Sequence, residues 1–159
     1  MELTIEQALQ QGVAEHKEGK LQGAERLYRA ILQSQPKHPD ANHNLGVLAV
    51  LVNKADVALP LFKTALEANP KIEQFWLSYI DALIKTEKFD ESRQVLADAK
   101  QAGIAADKLQ IIEKQLQSEL SSSSNISQQE FGNQLQSHPN ELSPAIELRE
   151  IGRYKEAQE

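Results

Sequence analysis

Chemically similar residues recur along this chain at intervals of 34 residues. The repeated pairs are Gly12 and Gly46, Ala24 and Ala58, Tyr28 and Phe62, Leu32 and Leu66, and Pro36 and Pro70. A fixed period of this length is typical of solenoids, in which each unit buries its apolar face only against neighbouring units. The sequence therefore predicts a stack of similar units and not one closed globule.

Six segments carry apolar residues at three- and four-residue spacing, which is typical of amphipathic helices. They are residues 4–18, 21–34, 38–51, 55–68, 73–86 and 89–101. Turn-forming residues separate them, such as Gly19 after the first segment and Pro36 after the second. Proline ends a helix because it lacks an N–H and clashes with the preceding turn. The predicted fold class is all-α, with the helices joined as hairpins.

These residues resemble the tetratricopeptide repeat family. Its signature is Trp-x2-Leu-Gly-x2-Tyr, followed by an alanine, an aromatic residue, a second alanine and a closing proline. The three units span about 3–36, 39–70 and 73–104. The first supplies Gly12, Gly19, Ala24, Tyr28 and Pro36, and the second supplies Leu45, Gly46, Ala58, Phe62, Ala65 and Pro70. The third keeps Trp76, Tyr79, Phe89 and Ala99 but lacks the glycine, the first alanine and the proline. The resemblance implies a right-handed superhelical array of antiparallel helix hairpins.

The segment after the third unit has the pattern of a capping helix. Within 106–119, an apolar seam is made by Leu109, Ile112 and Leu116, and the other face carries Lys, Glu and Gln. A repeat array usually ends in such a helix, which covers the core and presents a polar outer face. Repeats and cap together are predicted to span 3–119.

The tail is predicted to consist of a linker and part of a further unit. Serines dominate residues 120–126, a composition typical of flexible linkers. Within 127–159, the run from Gly152 to Ala157 resembles the turn and second-helix opening of another repeat. We expect 127–159 to be a partial unit of a longer protein.

Composition excludes several classes of function. The net charge of −6 argues against a nucleic-acid partner, which requires a basic surface, and no apolar stretch is long enough to span a membrane. Without cysteine the chain has no thiolate ligand or thiol nucleophile, and it carries no phosphate-binding loop. The four histidines lack the spacing of a zinc site, and we interpret His38 and His43 as surface residues. We expect a cytoplasmic protein that is not an enzyme and has no cofactor and no metal.

The resemblance also implies a binding groove, because the first helix of each hairpin lines the concave face in this family. The corresponding positions are Leu9, Gln10, Val13, His16 and Lys17 in the first unit, His43, Asn44, Val47, Val50 and Leu51 in the second, and Leu77, Ser78, Asp81, Ile84 and Lys85 in the third. Some of the aliphatic residues, Val50 and Ile84 above all, could instead pack against neighbouring helices. An apolar floor edged by polar groups would suit an extended or helical peptide.

Two ligand-binding patterns of the family can be compared with these positions. Chaperone-binding members hold a terminal carboxylate with lysine, asparagine and arginine. Here the positions hold Leu9, Val13, Leu77 and Asp81, so only Asn44 is of the right kind. Protein-glycosylating members hold the peptide backbone with a ladder of asparagines, and the ladder would read Gln10, Asn44, Ser78. A side-chain amide both donates and accepts hydrogen bonds, so Asn44 could bind a peptide backbone or be a solvated surface residue.

Three functions remain open from the sequence. The leading hypothesis is a scaffold that binds a peptide or partner protein in its concave groove. The alternative is the N-terminal recognition arm of a larger bacterial glycosyltransferase or sulfotransferase, with its catalytic domain beyond residue 159. A third is weak homodimerisation through an apolar edge at the third unit and cap.

Overall fold

A computed structural model describes residues 2–130 of the chain. The described part contains seven helices and no strand. The helices are α1 (Ile5–Lys17), α2 (Leu21–Ser34), α3 (Pro39–Leu51), α4 (Ala55–Ala68), α5 (Glu73–Lys85), α6 (Phe89–Gln101) and α7 (Ala106–Glu130). All six predicted hairpin helices are confirmed within one residue at each end. The array of antiparallel helix hairpins is confirmed with them.

The turn inside each hairpin repeats with the same backbone geometry. Gly19, Asn53 and Glu87 stand 34 residues apart and all have positive φ, at 77°, 59° and 59°. The next amide in each turn donates to a carbonyl five residues back at 2.8 Å: Lys20 to Glu15, Lys54 to Ala49 and Lys88 to Leu83. This left-handed cap satisfies carbonyls that the helix end leaves unpaired. The period therefore persists in the backbone of the third unit, where the sequence signature has decayed.

Between hairpins, one side chain bonds to the closing turn of the preceding unit. The indole Nε1 of Trp76 donates to the carbonyl of Pro70 at 2.8 Å. At the equivalent position one unit earlier, the Nδ2 of Asn42 donates to the carbonyl of Pro36 at 3.0 Å. Both side chains are buried, so a buried donor and a turn carbonyl satisfy each other in the second and third units.

The core lies between the two helices of each hairpin and between successive hairpins, and small residues set how closely the helices approach. Ala24 and Ala58 are fully buried. A Cβ added at Gly12 would lie 2.7 Å from the Tyr28 ring, and one at Gly46 would lie 2.5 Å from the Phe62 ring. Small residues at these positions therefore allow the two helices of a hairpin to approach closely.

Helix α7 differs in length from the prediction. Its apolar seam is confirmed, because Leu109, Ile112 and Leu116 are buried in the same cluster as Trp76. The helix continues to Glu130, however, so the prediction of a flexible linker at 120–126 was wrong in its secondary structure. Hydroxyls of the serine run bond to carbonyls one turn back, Ser121 to Gln117 at 2.9 Å and Ser122 to Ser118 at 3.0 Å. Serine side chains satisfied in this way are compatible with a helix.

The chain divides into two compact units, Met1–Ser122 and Ser123–Glu159. The hairpins and the site described below belong to the first. The predicted partial repeat falls mostly on residues outside the described part. Among the helices of residues 2–130, none combines the length and the apolar character that crossing a bilayer requires.

Candidate functional site

The first helices of the three hairpins form one continuous surface. The backbone of α3 closely approaches those of both α1 and α5, whereas within the described residues the backbones of α2, α4 and α6 do not approach one another as closely. An array whose helices lie closer together on one side curves toward that side. The surface of α1, α3 and α5 is therefore concave, and the predicted groove positions lie on these helices.

Most of the predicted groove residues are neither fully exposed nor part of the core. Gln10 is exposed, and the half-buried residues are Leu9, Val13, His43, Asn44, Val47, Leu77, Ser78 and Asp81. Val47 and Leu77 rest against core clusters with one side and keep the other accessible. The concave face thus has an apolar floor of half-buried aliphatic residues.

Ile84 does not belong to that floor. It was expected either on the concave face or in the core, and only 4% of its surface is exposed. It lies in the cluster that contains Leu109, Ile112 and Leu116 of α7. Packing of α7 onto the third hairpin therefore removes this position from the groove, whereas its counterpart Val50 is half-buried.

A chain of polar side chains crosses from α5 to α3 on the concave face. Gln74 Nε2 donates to Ser78 Oγ at 3.2 Å, and Ser78 Oγ lies 2.9 Å from His43 Nε2. His43 Nδ1 lies 3.4 Å from Asn44 Oδ1. With a neutral His43 protonated on Nδ1, every contact pairs a donor with an acceptor: the Ser78 hydroxyl donates to Nε2, and Nδ1–H donates to Asn44. The amide NH2 group of Asn44 stands at the end of this chain as a donor.

The ring of His43 is held by aromatic side chains from two other helices. Its centroid lies 4.8 Å from that of Phe75 in α5 and 5.5 Å from that of Phe62 in α4. His43 is therefore half-buried and packs between helices, which its interpretation as a surface residue did not include. His38 has a different structural role, since its Nδ1 accepts the Ala41 N–H at 3.2 Å and caps α3. His43 instead fixes the spacing between α3 and α5 at the middle of the concave face.

Burial lowers the pKa of His43 below its usual value of 6.5, against weaker opposing effects of the Asn44 hydrogen bond and the Asp40 carboxylate. The folded protein favours the neutral ring, so its contribution to stability is complete above pH 6.5. This contribution is lost as the pH falls from 6.5 through the lowered pKa. In that range the His43 ring binds a proton in the unfolded chain, whereas burial disfavours its protonation in the folded protein.

We therefore expect the free energy of unfolding to fall more steeply between pH 7.5 and 5.5 in the wild type than in His43→Gln. Urea denaturation across about this pH range measures the difference. The glutamine variant keeps a hydrogen-bonding side chain and removes only the titrating group. Equal slopes for the two proteins would contradict this role of His43.

The charged residues of the third unit neutralise each other on this face. Lys85 Nζ donates to Asp81 Oδ2 at 2.6 Å, one turn apart on α5. Asp81 thus stands as half of an ion pair at a position where a carboxylate-binding groove would need a cation. The predicted groove positions at the middle of the concave face, Asn44, Val47, Leu77 and Ser78, are uncharged side chains.

Two residues of this site escaped the sequence analysis. Gln74 extends the polar chain by one member, and Phe75 supports the His43 ring. Neither occupies a signature position, and the only signal for them was their place in the first turn of a predicted concave-face helix. Within residues 2–130, no group of three or more histidines and carboxylates is arranged to hold a metal ion.

Comparison with known proteins agrees with the fold. Residues 49–103 match the family model of the tetratricopeptide repeat. No curated protein sequence matches the chain. The comparisons give no support to the alternative of a transferase arm.

Solved structures of tetratricopeptide repeat domains superpose on most of the chain. A mutant form of MamA shares 24% identity, with 75% of this chain and 69% of that chain covered and a TM-score of 0.63. The first repeat domain of Spaghetti (RPAP3), bound to the HSP90 peptide SRMEEVD, shares 16% identity, with coverage of 72% and 90% and a TM-score of 0.64. The type III secretion chaperone SycD of Yersinia enterocolitica, in complex with a peptide of the translocator YopD, shares 15% identity, with coverage of 77% and 94% and a TM-score of 0.61. The matched segment, the hairpin geometry and these neighbours together show that residues 2–130 have the fold of tetratricopeptide repeat domains.

Proposed function

We propose that this chain is a protein-interaction module that binds a peptide segment of its partner on the concave face of α1, α3 and α5. The observation that carries the proposal is the polar chain that ends at Asn44. Its members satisfy one another from Gln74 to the Asn44 carbonyl, which leaves the Asn44 amide NH2 group as a positioned donor beside half-buried aliphatic residues.

A donor held in this way suits the backbone carbonyl of a peptide. Preorganisation matters because a side chain already fixed by neighbouring contacts loses little rotamer freedom on binding. Val47 lies one turn along α3 from Asn44 and presents part of an aliphatic surface to the same segment. We infer a neutral peptide that contributes one backbone carbonyl and one apolar side chain at this point.

The structural neighbours support peptide binding in general but not the same peptide. Spaghetti binds a peptide with the sequence SRMEEVD, which carries three acidic side chains. In this chain the only cation among the third-unit groove positions, Lys85, is paired with Asp81. At the third unit an acidic side chain would find no unpaired cation, so a partner segment with few charges fits better there.

Selection from a displayed library of random peptides tests the proposal, because it does not require the partner to be identified first. We expect enriched peptides to bind the full chain, and Asn44→Ala to weaken their binding about tenfold, the effect of one lost hydrogen bond in a partly desolvated site. Fluorescence anisotropy with the labelled peptide gives the two dissociation constants.

Gln94→Ala is the matched control, because Gln94 is an exposed amide on an outer helix, α6. It should leave the dissociation constant unchanged. The proposal fails if the library yields no binder, or if Asn44→Ala and Gln94→Ala affect the selected peptides equally.

A further inference from the structure

Helix α7 occupies the place of the first helix of a fourth hairpin. Its buried residues Leu109, Ile112 and Leu116 lie 33 residues after Trp76, Tyr79 and Leu83 of α5. The shift from 34 to 33 follows from α6, which has 13 residues where α2 and α4 have 14. Lys108 of α7 also pairs with Glu73 of α5 at 3.1 Å, so the two helices are neighbours, as α3 and α5 are.

One unit earlier, the corresponding surface between α4 and α5 is covered by α6. There, Leu59 and Phe62 of α4 form a cluster with Leu83 of α5, and Val95 of α6 packs onto it. An amphipathic helix is therefore the element that this surface accepts in the repeat.

One unit later, no helix within residues 2–130 covers the same surface. The counterparts of Leu59, Phe62 and Leu83 are Arg93, Leu96 and Leu116, and all three line a cavity of about 360 Å³ between α6 and α7. Leu120 and Ala97 extend its apolar wall. The cavity is the counterpart of the site that α6 fills one unit earlier.

The rim of this cavity has one more positive charge than the equivalent surface one unit earlier. Where Leu59 is buried, Arg93 is exposed. Its contact with Asp90 is long, at 3.5 Å, and the Asp90 side chain is fully exposed, so the guanidinium retains donors for another carboxylate. The second cation at the rim, Lys100, is already paired with Glu113 at 2.5 Å. The cavity thus combines an apolar floor with one available cation.

We propose that the α6–α7 cavity is a second protein-binding surface, which binds an amphipathic helix of another protein. That helix places an aliphatic residue on the cavity floor and, one turn away, a carboxylate against Arg93. Helix α6 itself has this pattern, with Val95 between Glu91 and Asp98. This surface is separate from the concave face and does not depend on the function proposed for that face.

A labelled peptide with the sequence of residues 87–103, the helix that fills the equivalent site, is a suitable probe. We expect it to bind the full chain saturably at micromolar concentration, and a scrambled peptide of the same composition to bind at least about tenfold more weakly. Arg93→Glu should weaken binding about tenfold or more by replacing attraction with repulsion, and Ala97→Trp should weaken it similarly by filling the cavity.

Both substituted residues are exposed, so circular dichroism should show unchanged folding. Lys114→Glu is the control for charge, since Lys114 is an exposed cation of α7 that does not line the cavity. Neither it nor Asn44→Ala should change the affinity. The proposal is overturned by equal binding of the scrambled peptide, by no binding at millimolar concentration, or by equal effects of Arg93→Glu and Lys114→Glu. It is also overturned if sedimentation shows a dimer that Arg93→Glu abolishes, because the occupant would then be a second copy of the chain.

Discussion

Replacement of Trp76 by alanine is expected to lower the free energy of unfolding by about 3–5 kcal/mol, the usual cost of removing a large buried aromatic side chain. The side chain is 8% exposed and lies in the cluster that joins the third hairpin to α7. Its removal also leaves the Pro70 carbonyl without its indole donor. Because small domains are stable by only about 5–15 kcal/mol, this loss is a large fraction of the total.

Urea denaturation of the wild type, Trp76→Ala and Trp76→Phe separates the two contributions. Phenylalanine keeps most of the apolar volume but cannot donate to Pro70, so we expect about 1–3 kcal/mol of destabilisation from the unsatisfied carbonyl and the smaller ring. A Trp76→Ala protein with an unchanged denaturation midpoint would show that this residue is not a core residue, and its assignment to packing would be wrong.

The helices could be predicted closely because their ends are encoded locally. Gly19 permits the left-handed turn after α1, and Pro36 excludes helix after α2, so each boundary has its own sequence signal. Glu87 has no such signal, and its turn was placed from the apolar spacing of the segments 73–86 and 89–101 on either side of it. In the structure this turn repeats the backbone geometry of the turns at Gly19 and Asn53.

The roles of individual side chains could not be predicted in this way, because they depend on contacts between helices. His43 is held by Phe62 and Phe75, which belong to two other helices, and no local pattern links the three residues. Ile84 shares its repeat position with Val50, but α7 packs only at the end of the array and buries Ile84 alone. The period predicts equivalent positions, whereas the ends of the array make their environments unequal.

The serine run shows the limit of composition as evidence. Residues 120–126 have the composition of a linker, but α7 extends through them. A helix that is already formed adds one hydrogen bond for each residue it gains, so it can extend into a segment that would not start a helix. Composition describes the tendency of an isolated segment, and here the preceding helix decides the outcome.

Replacement of Gly46 by alanine is expected to destabilise the protein by about 2 kcal/mol, although alanine is the better helix former by about 1 kcal/mol. The added Cβ would lie 2.5 Å from the nearest atom of the Phe62 ring, which is only 1% exposed and is enclosed by the cluster around it. The ring cannot move aside without displacing α4 from α3, so the clash outweighs the gain in helix propensity.

Gly23→Ala is the matched control for that substitution. It introduces the same methyl group at another helical glycine, but there the Cβ would meet only the carboxylate end of the flexible Glu15 side chain. That side chain can rotate away, so the helix propensity of alanine should dominate and stabilise the protein by up to about 1 kcal/mol. The same added methyl group is thus expected to lower the free energy of unfolding in Gly46→Ala and to raise it in Gly23→Ala. Denaturant unfolding of both variants measures the two changes directly. If Gly46→Ala proved as stable as Gly23→Ala, the close approach of α3 to the Phe62 ring would not be what requires glycine at this position of the repeat.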